Sequence, residues 1–180
     1  EGAQTEFIVF AQKAATPVRV AATVREIDAN QAIIGIPSSV PDGAMLLVWP
    51  KNAAGIGRPV PVNRAEPWYS LPRKVAPGEA FSVFGRNLVN RSDAGRAWVY
   101  LKPKGTGESG ILLAATGGNP YKVDFMLPKD LANGTYEVWM HNGHGGDLGW
   151  RPLHARDGGS LGNTHLRIRP AYAYDGPTFD

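Results

Sequence analysis

The sequence predicts an all-β chain folded as two tandem β-sandwich modules, and three observations carry that expectation. First, one phrase occurs twice. It runs Ile36-Pro37, Pro41-Asp42-Gly43, an apolar run to Trp49, Asn52 and Arg58-Pro59; it returns as Leu127-Pro128, Ala132-Asn133-Gly134, a run to Trp139, Asn142 and Arg151-Pro152. The proline-to-glycine spacing is the same in both copies, Pro37 to Gly43 and Pro128 to Gly134, so one supersecondary unit is used twice. Second, the 22 glycines and 15 prolines of the 180 residues fall between short apolar runs, as in many short strands joined by turns. Third, 43% of the residues are hydrophobic and 19% charged, which is enough apolar material for packed cores and too little charge for a disordered chain.

The second module, residues 67–170, reads as complete. Pro77-Gly78 turns into a strand over 79–85, in which Phe81 and Val83 alternate with small or polar neighbours. Residues 96–102, 110–114, 121–127, 134–140 and 165–169 follow as further short runs bounded by turn residues, and strands at this spacing make an immunoglobulin-like sandwich the expected architecture. Tyr136 stands just after the Asn133-Gly134 turn and two residues before Val138. That is the spacing of a tyrosine corner, whose hydroxyl returns to the backbone upstream. Val138 then occupies the position of a disulfide cysteine in antibody domains and meets Phe81 or Val83 across the core, a burial worth about 1.5–3 kcal/mol per large side chain.

The first module, residues 1–66, is expected to lack its opening two strands. The segment 5–12 aligns with 96–103, because both lead through an Ala-Ala-Thr triplet (21–23 and 114–116) into the repeated phrase. Setting Phe7 to Phe10 against Phe81 to Phe84 keeps more of the front and loses that match. The junction over 62–72 contains Trp68-Tyr69, which reads as a wedge between modules, and residues 171–180 read as a linker to a further domain.

Composition excludes several classes of function. Net charge is only +3 and the basic residues are scattered, so nucleic acid is not an expected partner. No run approaches the roughly 18 apolar residues of a membrane span, and no membrane partner is expected. The chain has no cysteine, which removes disulfides, thiolate chemistry and cysteine-based zinc sites and fits an exported bacterial protein. Its first residues lack a signal-peptide pattern, so a targeting segment is expected to be absent or removed. There is no Gly-x-Ser-x-Gly elbow and no His-Glu-x-x-His, and the stretch 105–110 lacks the lysine of a phosphate loop; no catalytic residue and no cofactor is assigned. Asp124 and Glu137 are the carboxylates that neighbouring strands would bring together for glycosidase chemistry, but nothing in the sequence builds a cleft around them.

The residues Pro77-Gly78-Glu79, Phe81 to Leu88, Leu127-Pro128 and Gly134 to Gly143 resemble the IPT/TIG-like immunoglobulin modules of secreted bacterial polysaccharide-active proteins. The resemblance covers most of 73–170 and, more weakly, 1–64. In such relatives the modules precede a pectate-lyase-type β-helix, and Asp175 to Asp180 is similar to the lead-in to that helix. The resemblance implies an extracellular accessory role beside a β-helix or catalytic domain, with a plant or microbial polysaccharide as partner.

Strand alternation marks where such a partner would bind. It puts Val99 and Leu101 on one face and Trp98, Tyr100 and Lys102 on the other; likewise Tyr136, Val138 and Met140 oppose Glu137, Trp139 and His141. If the two strands are sheet neighbours, Trp98, Tyr100 and Trp139 form an aromatic platform for pyranose rings, with Lys102, Glu137 and His141 as polar partners. The function expected is therefore non-catalytic carbohydrate binding. The alternative is a structural spacer whose aromatic face is covered by an adjoining domain, since large apolar patches mark some interface. His141, His144 and Asp147 have a spacing that a divalent ion accepts, yet the glycine-rich stretch around them reads as turn geometry, and no metal is assigned.

Overall fold

The structure, a computed structural model, describes residues 5–13, 18–28, 31–89, 97–153 and 165–168; the expected linker over 171–180 lies outside them. The described residues are all-β apart from a single 3-10 turn, Gly146–Gly149. They divide into two compact units: Glu1–Arg64 with Gly143–Gly149, and Ala65–Asn142 with Trp150–Asp180. The glycine-rich segment Gly143–Gly149 groups with the first unit. There the Gly145 N–H donates to the Gly43 carbonyl at 3.0 Å. Gly145 has φ +88°, and a Cβ on it would stand 3.0 Å from that of Met45.

The first unit contains β1 (Glu6–Gln12), β2 (Val18–Ala21), β3 (Thr23–Ile27), β4 (Ala32–Gly35), β5 (Met45–Asn52), β6 (Gly55–Ile56) and β7 (Val60–Val62). β1 lies between β2 and β5, β6 and β7 both pair with β5, and β3 and β4 form a separate antiparallel pair. Alternation sets the faces: Val9, Ala11, Leu46 and Val48 are buried, and Phe7, Val20 and Ile34 pack against them. Outward, Ile8 pairs with Trp49, and the Trp49 ring meets Phe10 edge-on at 5.3 Å and 81°. The first copy has one more residue between its glycine and its tryptophan than the second, and the turn absorbs it. Gly43 sits at φ +76° in a bend closed by Ala44 N–H donating to the Pro41 carbonyl, before β5 starts at Met45. Among the described residues, this unit has no strand ahead of β1.

The second unit contains β8 (Glu66–Leu71), β9 (Lys74–Val75), β10 (Ala80–Arg86), β11 (Trp98–Pro103), β12 (Ile111–Ala114), β13 (Gly117–Asn119), β14 (Lys122–Met126), β15 (Gly134–His141), β16 (Arg151–Pro152) and β17 (His165–Ile168). One sheet has the order β13-β14-β10-β8 and the other β12-β11-β15-β17-β9, with β16 on β15. These are the D-E-B-A and C′-C-F-G orders of an immunoglobulin sandwich, with β9 added in parallel to β17. Phe81, Val83, Val123 and Phe125 from the first sheet and Val99, Leu101, Val138 and Met140 from the second form one buried core. The Tyr136 hydroxyl donates to the Ala132 carbonyl at 2.8 Å, which closes the expected corner.

The junction over 62–72 is corrected. Residues 66–71 are a strand, and Tyr69 lies flat on Phe84 across the sheet, ring centroids 5.1 Å apart at 15°. β-prone Trp68, Tyr69 and Leu71 outweigh the flanking prolines, because Pro67 sits beside a bulge between Phe84 and Gly85. Gly85 is required there, since a Cβ would meet the Glu66 carbonyl and stand 2.9 Å from Leu88.

Candidate functional site: an aromatic sheet face

β11 and β15 are hydrogen-bonded neighbours, and their register sets the six expected residues directly opposite one another: Trp98 with His141, Tyr100 with Trp139, Lys102 with Glu137. Opposed side chains on one face stand close enough to act together. Trp98, Tyr100, Trp139 and Glu137 are half-buried and Lys102 is exposed. On the far side of β11, Leu112 faces Tyr100 and is 58% exposed. Among the described residues, the indole N–H groups of Trp98 and Trp139 and the charged ends of Lys102 and Glu137 make no side-chain hydrogen bond or ion pair. The face thus presents ring surface beside polar side chains.

Three features differ from the expectation. His141 is buried, 9% exposed, with the Trp98 ring at 6.1 Å and the Trp150 ring at 5.0 Å. Tyr100 has its hydroxyl committed, accepting the Gly110 N–H at 2.7 Å. Trp150 belongs to the face, its ring also 6.5 Å from Tyr100. The signal for Trp150 was the return of the chain after the glycine bend. Pro152 pairs with Trp139 and Arg151 with Met140, so alternation places residue 150 on the side of His141.

The carboxylate pair is not assembled. Asp124 is on β14 and Glu137 on β15, strands of different sheets. Asp124 instead accepts from Ser82 Oγ at 2.5 Å and pairs with Lys122 at 2.9 Å. The Ser82 hydrogen bond, helped by Lys122, holds its carboxyl below the usual carboxylate range. Among the described residues, no group of three His, Cys, Asp or Glu side chains is placed to hold a metal ion. No described helix is long and apolar enough to cross a membrane.

No protein-family model matches the sequence, and no curated protein matches it. Among solved structures, the chain is similar to the Bacteroides ovatus mixed-linkage glucan utilization locus protein SGBP-B in complex with a mixed-linkage heptasaccharide, at 11% identity and a TM-score of 0.32. The match covers 92% of this chain and 37% of that one.

Proposed function

We propose that this chain is a non-catalytic, glycan-binding accessory part of a secreted polysaccharide-degrading protein, built from IPT/TIG-like immunoglobulin modules. The observation that carries the reading is the face of β11 and β15. Trp98, Trp139 and Trp150 offer ring surface, and Lys102 and Glu137 stand on opposite strands of the same rung. Amphipathic rings beside polar groups suit a ligand whose own rings have apolar faces and hydroxyl edges. The reading of two related modules is supported by pairing order. β2-β1-β5 repeats β12-β11-β15, and the outward Trp49 and Trp139 pair with the outward Ile8 and Tyr100, a register one residue away from the alignment of 5–12 with 96–103.

Affinity electrophoresis of the chain in gels containing xylan, pectin or mixed-linkage glucan tests the reading. Retardation in at least one gel, lost in Trp98→Ala and Trp139→Ala, is the expected result. Unretarded migration in all three assigns the face to the rival role, a contact for an adjoining β-helix or catalytic domain. The exposed Leu112 beside Tyr100 would favour that role.

A further inference from the structure

We infer that the ligand of this face is an acidic polysaccharide, its sugar rings against the tryptophan end and its anionic groups over a row of basic residues at the other end; the inference rests on the glycan-binding reading above.

Basic residues that are scattered along the sequence are gathered here by the pairing register. Beyond the rung of Lys102 and Glu137, the Lys104 N–H donates to the Thr135 carbonyl at 2.9 Å, which carries the ladder of β11 and β15 one rung further. Thr135 pairs with Arg167 on β17, and Arg167 with Lys74 on β9. Parity puts these positions on the outward side, because their chain neighbours Tyr136, Leu166, Ile168 and Val75 are buried in the core. One row across four strands therefore reads Lys104, Thr135, Arg167, Lys74, roughly 14 Å long at about 4.8 Å per strand. The next rung holds Lys102, Glu137 and His165.

The sign of this end is positive. On the strand face Lys102, Lys104, Arg167 and Lys74 are basic and Glu137 is acidic. Glu79, Glu108 and Asp130 lie in connections outside these strands, and Glu79 accepts from the Ala76 N–H at 3.0 Å. Counting those three acids and their basic neighbours Arg73 and Lys129 leaves the basic residues in excess.

Along the strands the character changes. Trp98 and Lys104 are separated by roughly 20 Å at about 3.4 Å per residue, and the rungs pass from the basic row through Lys102 and Glu137 to Tyr100 with Trp139 and then Trp98 with His141. A neutral polysaccharide would use the aromatic rungs and gain nothing from the basic row. A polyanion without rings would use the basic row alone. A polysaccharide that carries an anionic group on its sugars uses both, with ring faces on the indoles and anions in the positive potential of the lysines.

The test runs the intact chain through affinity gels containing polygalacturonate, dextran sulfate or mixed-linkage glucan. Retardation by at least one acidic polysaccharide and not by the glucan, weakening as salt is raised, is expected; the two acidic gels distinguish carboxylate from sulfate as the anion. Retardation by the glucan as strong as by the acidic gels, or by the glucan alone, overturns the inference and leaves glycan binding standing. No retardation in any gel overturns both. Soluble polyglutamate, added as a competitor at equal charge, should leave the retardation in place; its abolition means that charge without sugar suffices and overturns the inference. A second arm combines Lys102→Glu with Lys104→Glu, two exposed positions, with folding checked by a thermal melt. The double variant should lose about tenfold or more in affinity for the acidic polysaccharide, and unchanged affinity in a folded variant overturns the role of the basic row.

Discussion

Tyr136 and Val138 were readable because a tyrosine corner is local: the turn, the hydroxyl donor and its carbonyl acceptor lie within five consecutive residues, 132–136. Tyr136→Phe should cost about 0.5–1.5 kcal/mol, at the low end because Ala132 is exposed and water replaces the donor; a urea melt identical to the parent's contradicts the corner. Asp124 was not readable, since which sheet a strand joins depends on crossovers that no local spacing records. Its carboxyl is held low in the folded state, first by Ser82 and then by Lys122. Its stabilising contribution is therefore present above the unfolded carboxylate pKa of about 4 and is lost as pH falls through the lower folded value. Asp124→Asn should accordingly lose less stability than the parent between neutral pH and acid. The difference stays within about 1 kcal/mol because the pair is part-exposed, and equal losses in paired urea melts would rule it out. His141 was read as a polar partner of the platform because parity fixes the face of a strand but not the depth to which neighbouring rings cover it.

In the second unit β10, β11, β12, β14, β15 and β17 were predicted, and those of two or three residues, β9, β13 and β16, were not, because a period of two needs several residues to appear. The misreading of 66–71 has a different cause. Between prolines at 67 and 72, Trp68-Tyr69 reads as a wedge, and only the bulge opposite Gly85 shows how a proline is tolerated in that strand. Gly85→Ala puts a methyl group into the Glu66 carbonyl, so β8 must move off β10. The expected cost is about 1–3 kcal/mol, read as a lowered midpoint in denaturant. A variant as stable as the parent would mean that the bulge is not as described.

In the second unit, both sheets contribute to one core through Phe81, Val83, Val138 and Met140. Val138→Asp buries an unpaired carboxylate there and should cost several kcal/mol, enough to abolish the unit's cooperative transition; a melt within a few degrees of the parent's would refute the sandwich. The same architecture turns the alternate residues of β11 and β15 outward, so core and candidate site are two faces of one alternation. Pairing and parity made five of the six proposed residues predictable as surface groups. Trp150 escaped because the glycine bend between β15 and β16 hides the register in which the chain returns. The claim that this outward face binds glycan is tested most directly at Trp139, which sits at its centre opposite Tyr100 and Pro152. Titration calorimetry with a gluco-oligosaccharide and an oligogalacturonide, paired with a thermal melt, should show Trp139→Ala losing about tenfold or more in affinity for whichever the parent binds, with a melting temperature near the parent's. Unchanged affinity together with a lowered melting temperature would contradict the account and make the face a structural contact.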